Sequence, residues 1–240
     1  MDKITLFCFP YAGGSSIVYN KWKIYTNSYI DIVPVELAGR GKRLDEHLYD
    51  KMEDAVDDLY EIIKERINGP YGLFGHSMGS IIAYEIAHRI NNSNLPNPQY
   101  LFISGKKPPH IERYKKIVHT LSDHEFKKEL IDIGGTPREI FENEELLDLF
   151  LPILRKDFKV IENYKYTKRP PLDVETIVFY GVQENIQYSE AAQWNSYANK
   201  GCRIFEVEGN HFFINHSAKD VVSIINNIVA KDYRRTRSQI

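Results

Sequence analysis

The 240-residue chain contains little cysteine: its two copies, Cys8 and Cys202, lie far apart in short apolar runs. Two isolated thiols provide neither a disulfide framework nor a cluster of metal ligands, and they fit a reducing compartment. The net charge of −2 gives no strong positive field of the kind that favours binding to nucleic acid. No segment reaches the ~20 apolar residues of a membrane span, and no basic leader precedes an apolar stretch. We therefore expect a cytoplasmic protein that does not cross a membrane.

The composition, with 42% hydrophobic and 27% charged residues, is that of an ordinary globular protein large enough for a sizeable core. Short apolar runs alternate with segments of helical spacing, which is typical of an α/β fold with a mostly parallel central sheet flanked by helices. The runs are almost continuously apolar, as expected where helices cover both faces of the sheet. The predicted strands are residues 4–9, 31–37, 71–74, 99–104, 176–180 and 203–207.

One region, at about 106–168, interrupts this alternation because it contains no convincing strand. Ser122 followed by Glu125 indicates a capped helix start, and Gly134-Gly135-Thr136-Pro137 should end that helix. Apolar residues at helical spacing predict a further helix within 146–161. So much helix between two parallel strands exceeds a simple crossover. We expect a single domain, residues 1–240, with an inserted helical lid over the active site, although a helical decoration without a gating role fits the same pattern.

The motif Gly75-His76-Ser77-Met78-Gly79 carries the clearest chemical signal. It follows an apolar strand and precedes a helical segment, which is the context of a nucleophile elbow. The glycines allow strand and helix to pass closely while the serine takes a strained backbone conformation. Ser77 is therefore the predicted nucleophile. The alternative is a glycine-rich turn that binds an anion or nothing.

A serine nucleophile needs a histidine base and a carboxylate that orients it, in the chain order Ser, acid, His. Of the eight histidines, His211 follows the last predicted strand directly, whereas His216 lies five residues further on and remains the alternative base. Glu184 is the first carboxylate after the strand at 176–180, and Glu190 is its competitor. His76 adjoins the serine, but its backbone direction favours a packing role.

An oxyanion hole requires two backbone N–H groups that point at the developing negative charge. Met78, directly after the serine, should supply one of them. The loop Pro10-Tyr11-Ala12-Gly13-Gly14-Ser15 after the first strand should supply the other, from Ala12 or, as second choice, Tyr11. This loop lacks both the G-x-G-x-x-G spacing and a G-K-[ST] ending, so a phosphate-binding role is discounted.

Three motifs together resemble the type II thioesterases of non-ribosomal peptide and polyketide synthesis, which have the α/β-hydrolase fold. The resemblance covers residues 4–229 and includes lid segments such as Leu151-Pro152-Ile153-Leu154-Arg155-Lys156-Asp157-Phe158. The three motifs are Phe9-Pro10-Tyr11-Ala12-Gly13-Gly14, Gly75-His76-Ser77-Met78-Gly79 and Gly209-Asn210-His211-Phe212-Phe213.

The resemblance implies a stand-alone enzyme that hydrolyses acyl, aminoacyl or peptidyl thioesters on the phosphopantetheine arm of carrier domains, clearing stalled or misprimed arms. It implies Ser77 as nucleophile, His211 as base and the Met78 and Ala12 amides as oxyanion hole. The protein itself needs no metal or organic cofactor, and we expect a monomer. The chain departs from the family at the acid, where Gly181-Val182-Gln183-Glu184 replaces the usual Gly-x-x-Asp.

A basic segment near the base of the predicted lid is a candidate docking surface for the acidic carrier domain, since Glu112 is its only acidic residue. A merely solvated run of charges fits the same segment. Two other functions fit the site: a carboxylesterase or lipase for small oxygen esters, and a non-catalytic binding protein of the hydrolase fold. The candidate docking residues are Lys106, Lys107, Arg113, Lys115 and Lys116.

Overall fold

A parallel sheet of six strands forms the centre of the structure, a computed structural model that describes residues 3–111 and 116–237. The strand order is β2-β1-β3-β4-β5-β6, and every neighbouring pair is parallel. The predicted sheet is thus confirmed. The strands are β1 (Ile4–Phe9), β2 (Ile30–Pro34), β3 (Tyr71–His76), β4 (Tyr100–Ser104), β5 (Glu175–Gly181) and β6 (Cys202–Val207).

The second strand is shorter than the sequence predicts, because it ends at Pro34 rather than at residue 37. Val35 and Leu37 are nonetheless almost completely buried. They pack into the core from the connection that follows the strand. A run of apolar residues indicates buried side chains rather than strand pairing. Here the side chains remain buried after β2 has ended.

Helices cover both faces of the sheet and bury a separate core on each side. Leu59 and Ile81 belong to one core, Trp22 and Val221 to the other. No helix in the described ranges is long and apolar enough to span a bilayer. The helices are α1 (Met52–Lys64), α2 (Met78–Asn91), α3 (Asp123–Ile133), α4 (Arg138–Glu142), α5 (Glu144–Glu162), α6 (Tyr188–Ala191), α7 (Phe213–His216) and α8 (Ala218–Arg237), with 3₁₀ segments at Ser16–Ile24, Gly41–Arg43 and Ala192–Tyr197.

The strand order reverses beside β1, because β2 lies on one side of it and β3 on the other. Connections that leave β1 and β3 therefore diverge, and a crevice opens at the carboxyl ends of the strands. The glycine loop follows β1 and the Ser77 motif follows β3 at this edge.

Helices α3, α4 and α5 form the segment between β4 and β5 and enclose a small apolar cluster that includes Phe126 and Leu154. The predicted capping box is present, since the Ser122 hydroxyl accepts from the N–H of Glu125 at 3.4 Å and Glu125 accepts from the N–H of Ser122 at 3.2 Å. Gly134, with φ of +80°, ends α3. The short helix α4 was not predicted from the sequence.

Candidate active site

The predicted nucleophile lies at a strained turn between β3 and α2. Ser77 has φ 54° and ψ −114°, and it is the one non-glycine residue of the described ranges with a positive φ. The two glycines of the motif are sterically required. A Cβ on Gly75 would lie 2.0 Å from the carbonyl oxygen of Gly79, and a Cβ on Gly79 would lie 2.1 Å from that of Phe9. The close passage of strand and helix forces the serine outward.

A buried hydroxyl on the first turn of α2 fixes this elbow from behind. The Oγ of Ser80 lies 2.8 Å from the carbonyl oxygen of Gly75 and accepts a hydrogen bond from the N–H of Ser104 at 3.0 Å. The N–H of Ser77 donates to the carbonyl of Ser104 at 2.8 Å. The strained turn is thus held by β4, the neighbouring strand.

The structure brings His211 and Glu184 together after β6 and β5. The Nδ1 of His211 is hydrogen-bonded to the Oε1 of Glu184, whose Oε2 accepts from the N–H of Gly181 at 3.0 Å. The Glu184 side chain is only 7% exposed, against 31% for that of His211. A carboxylate anchored in this way can fix the orientation and tautomer of the imidazole.

The two alternatives from the sequence lie elsewhere. The carboxylate of Glu190 binds the ammonium group of Lys107 at 2.7 Å and caps α6 through the N–H of Gln187 at 2.9 Å. His216 is exposed at the end of α7 and does not line the cavity that contains Ser77.

A cavity of about 370 Å³ connects these groups. Ser77, His211 and Glu184 line it, together with Ala12 and Met78. Most of its wall is apolar, and half of its lining residues come from the helical segment at 106–168. The apolar lining includes Leu130, Ile133, Leu154, Phe158, Ile161 and Phe212.

The glycine loop forms a tight turn beside the cavity. The N–H of Gly14 donates to the carbonyl of Tyr11 at 2.9 Å, and Gly13 has φ of +76°, as the third position of a type II turn requires. Ala12 and Tyr11, the two predicted donors, both line the cavity.

His76 is fully buried below the site, and its Nδ1 lies 2.9 Å from the Oγ of Ser104. Its ring packs 5.1 Å from that of His211 and at right angles to Phe213 at 5.3 Å. Burial, followed by the proximity of His211, lowers the pKa of His76 well below its ordinary value. A neutral ring therefore packs against the imidazole of His211.

Of the three predicted docking lysines that the structure describes, one is buried and two are paired with glutamates, and Lys116 is exposed. Lys106 is 5% exposed, Lys107 is paired with Glu190, and Lys116 is paired with Glu129. Burial and pairing remove the unpaired positive charge that the sequence suggested at these three positions. Arg113 and Lys115 lie outside the described residues.

Sequence reasoning missed one buried group near the site. Arg40, from the connection after β2, binds Asp157 of α5 through two hydrogen bonds of 2.6 and 2.8 Å. The sequence contains a signal for it: Asp157 occupies the helix face shared by Leu154, Val160 and Ile161, all of them buried. A charged residue in an apolar stripe indicates a buried partner.

A serine at a glycine-flanked elbow, with a histidine and a carboxylate that leave later strands, is the arrangement of serine hydrolases with the α/β-hydrolase fold. The profile of the thioesterase domain family matches residues 4–231. The chain therefore belongs to the thioesterase family.

Individual relatives agree with this assignment. Linear gramicidin dehydrogenase LgrE of Brevibacillus parabrevis is 33% identical over 227 residues, which cover 93% of this chain and 86% of LgrE. The crystal structure of ClbQ from the colibactin NRPS/PKS pathway matches with a TM-score of 0.91 at 35% identity, over 96% of this chain and 98% of ClbQ. The type II thioesterase BorB from the borrelidin biosynthetic cluster matches with a TM-score of 0.85 at 28% identity, over 94% of this chain and 92% of BorB. The resemblance to type II thioesterases is confirmed.

Proposed function

We propose that this chain is a type II thioesterase that hydrolyses acyl, aminoacyl or peptidyl thioesters from the phosphopantetheine arm of carrier domains, with Ser77, His211 and Glu184 as its catalytic residues. The observation that carries the proposal is the hydrogen bond between His211 and Glu184 in the cavity that Ser77 also lines. The membership of the thioesterase family supports the thioester as the bond that is cleaved.

In the first half-reaction, His211 takes the proton of the Ser77 hydroxyl while Oγ attacks the thioester carbonyl carbon. The carbonyl oxygen becomes an oxyanion, which the N–H groups of Met78 and Ala12 stabilise. The carbon–sulfur bond then breaks, and the pantetheine sulfur departs as the thiol with the proton that His211 had taken, which leaves His211 neutral again. A thiol has a pKa near 8.5, so its departure depends less on protonation than that of an amine.

In the second half-reaction, His211 takes a proton from water, which attacks the acyl-enzyme. Ser77 leaves with the returned proton, and the free acid is released. Glu184 keeps the proton-bearing Nδ1 of His211 in place and stabilises the imidazolium in both halves. Glutamate is one methylene longer than the usual aspartate, and its second carboxylate oxygen accepts a hydrogen bond from the N–H of Gly181.

The apolar lining of the cavity suits the acyl group, and the helical segment at about 106–168 contributes Leu130, Leu154 and Phe158 to it. We propose that this segment acts as a lid over the bound acyl chain. The sequence-based docking hypothesis places the carrier domain at the base of this lid, around residues 106–116. The proposed chemistry uses only side chains and backbone amides of this chain, without a cofactor, in a cytoplasmic monomer.

Two other functions can be weighed against the site. An esterase for small oxygen esters would use the same three residues, so only substrate preference separates it from a thioesterase. The name of LgrE includes a dehydrogenase activity, but the glycine loop of this chain lacks the G-x-G-x-x-G spacing of a dinucleotide-binding turn.

The test is to offer an acyl-carrier protein, an acyl-pantetheine and a p-nitrophenyl ester in parallel. A carrier-dependent thioesterase prefers the first, an esterase prefers the last, and a binding protein turns over none of them. Ser77→Ala must abolish turnover of the preferred substrate.

Two matched variants test which carboxylate, that of Glu184 or that of Glu190, orients His211. Glu184→Ala should lower kcat by about a hundredfold or more, because the histidine loses its orienting carboxylate. Glu190→Ala removes a carboxylate paired with Lys107 and should leave kcat within a few-fold of the wild type. The opposite ranking would assign the acid to Glu190.

A further inference from the structure

A buried ion pair connects the lid helix α5 to the body of the protein directly beside the oxyanion loop. The side chains of Arg40 and Asp157 are 4% and 3% exposed, and their two hydrogen bonds join the guanidinium to both carboxylate oxygens. Burial lowers the pKa of Arg40, but Asp157, Glu36 and Tyr49 together raise it, so that the net shift is upward. The guanidinium of Arg40 is therefore charged.

This ion pair also holds the glycine loop. The Oδ2 of Asp157 accepts a hydrogen bond from the N–H of Gly13 at 2.7 Å. The Nη1 of Arg40 donates to the carbonyl oxygen of Gly14 at 3.0 Å. The carboxylate and the guanidinium thus bind two successive residues of the loop that follows β1.

Steric contact from the same helix completes the arrangement. A Cβ on Gly13 would lie 2.2 Å from Cδ2 of Leu154, one turn before Asp157. The loop is closed on its other side by the bond from Gly14 to Tyr11. The peptide between Ala12 and Gly13 is therefore fixed by α5, both by a charge-assisted hydrogen bond and by packing.

We propose that Asp157 is a positioning residue for the oxyanion hole: by holding the N–H of Gly13 it fixes the place of the neighbouring Ala12 N–H, and Arg40 neutralises its charge. The inference rests on the proposed function, because it takes Ala12 as an oxyanion donor. A donor stabilises an oxyanion only when it is held within a few tenths of an ångström of its place. A carboxylate so close to a developing negative charge would oppose it, which gives the buried Arg40 a function beyond anchoring.

A purely structural role makes a different prediction. If Asp157 only anchors the lid, its loss should lower stability without changing the rates at Ser77 in a variant that still folds. Lys156 and Lys159, on the same helix, both bind Asp50 of the body at 2.6 and 2.7 Å. These exposed pairs do not contact the glycine loop, so Asp50→Ala is the control for a substitution that changes lid contacts away from that loop.

Two double variants separate the hydrogen bond from the charge. Arg40→Met with Asp157→Leu removes both charges and the acceptor for Gly13. Arg40→Met with Asp157→Asn also removes both charges but keeps a side-chain oxygen for Gly13. Neither leaves an unpaired buried charge, so both should fold, which circular dichroism and urea denaturation would show. If the leucine variant unfolds, Arg40→Met with Asp157→Val, which has no acceptor for the N–H of Gly13, replaces it.

The first readout is steady-state hydrolysis of octanoyl-N-acetylcysteamine. The second is the rate at which a fluorophosphonate modifies Ser77, with fluoride leaving and the phosphoryl oxygen entering the oxyanion hole. We expect the leucine variant to lose about 10- to 100-fold in kcat and in phosphonylation rate, with KM changed less than threefold. The asparagine variant should stay within about threefold of the wild type in both, and Asp50→Ala should match the wild type.

Equal phosphonylation rates in the leucine and asparagine variants would overturn the inference, as would a loss confined to KM. Failure of the proposed function looks different. A wild-type protein that phosphonylates rapidly at Ser77 yet hydrolyses no thioester would contradict the substrate class, while the comparison of phosphonylation rates would still decide the role of Asp157. A wild type that is not phosphonylated at all overturns both.

Discussion

The nucleophile elbow and the lid differ in what holds their backbones in place. At the elbow, backbone segments are in direct contact. Gly75 and Gly79 lie so close to neighbouring carbonyl groups that no side chain fits. The lid helices share a small apolar cluster, and side-chain pairs such as Arg40 with Asp157 connect them to the body. The serine is thus fixed by the fold itself, whereas the lid depends on a few contacts that single substitutions can remove.

The largest effect is expected at the elbow. Gly79→Ala places a methyl group 2.1 Å from the carbonyl oxygen of Phe9, and this clash can be relieved only if the backbone moves. We expect a loss of more than about 4 kcal/mol in the free energy of unfolding, measured by urea denaturation. Gly72→Ala, in the strand β3 that precedes the elbow, is the control and should lose far less, because the atom nearest to its Cβ would be on the Leu6 side chain at 3.2 Å. Similar losses in both variants would show that the elbow is not specially constrained.

The connection between lid and body should be the next most sensitive point. Asp157→Ala leaves the guanidinium of Arg40 buried without its carboxylate, which should cost about 3–5 kcal/mol in urea denaturation. Asp50→Ala breaks exposed pairs with Lys156 and Lys159 and should leave the denaturation midpoint unchanged. A small effect of Asp157→Ala would mean that the lid does not depend on this pair.

The body also contains a titratable group that the packing keeps neutral. His88 on α2 is 4% exposed, and its ring packs 4.6 Å from that of Tyr84. Burial, followed by the charge of Arg169, lowers the pKa of His88 to about 4. The unfolded chain, with a pKa near 6.5, binds the proton more readily, so this residue makes stability fall as the pH drops from about 6.5 to about 4.

At pH 5 this residue should make the protein about 2 kcal/mol less stable than at pH 7.5. His88→Leu should reduce the difference between the urea curves at the two pH values by about 2 kcal/mol, and His76, whose pKa is also lowered, should maintain the remainder. His216→Leu, at an exposed position, should leave the difference unchanged. An unchanged pH dependence in His88→Leu would show that the imidazole is already solvated and protonated in the folded protein.

The smallest effect on stability is expected in the lid loop. Gly135 has φ of +83°, and a Cβ there would lie 2.1 Å from Cζ of Phe212, beside His211 in the acyl cavity. Gly135→Ala should cost about 1–2 kcal/mol but reshape the cavity, because the Phe212 ring can move. We expect kcat/KM for octanoyl thioesters to fall at least about tenfold more than for acetyl thioesters.

Gly134→Ala provides the matched control for this lid substitution. Gly134 has a similar φ of +80°, but its Cβ would lie 3.8 Å from Phe212. This variant suffers the backbone strain without displacing the ring, so its preference for chain length should match that of the wild type. The same change of chain-length preference in both variants would show that the position of the Phe212 ring does not determine this preference.

The same contrast explains what the sequence could predict. The six strands follow from short apolar runs, and the elbow follows from glycines at fixed offsets from Ser77, because these are local signals. Glu184 and His211 follow from their positions directly after strands. Asp157 and Arg40 lie 117 residues apart in the chain, so only the packing of α5 against the loops reveals that they pair. The docking hypothesis is less well defined, since a local charge count does not show that Glu190 and Glu129 pair with Lys107 and Lys116.

The central claim is that Ser77 carries the acyl group between two half-reactions. Rapid quenching of the wild-type protein with octanoyl-pantetheine, followed by mass spectrometry of its peptides, tests this directly. We predict a transient octanoyl group on the peptide that contains Ser77, formed before the first turnover is complete and absent from Ser77→Ala. Hydrolysis without any adduct at Ser77, or hydrolysis that continues in Ser77→Ala, would contradict the account.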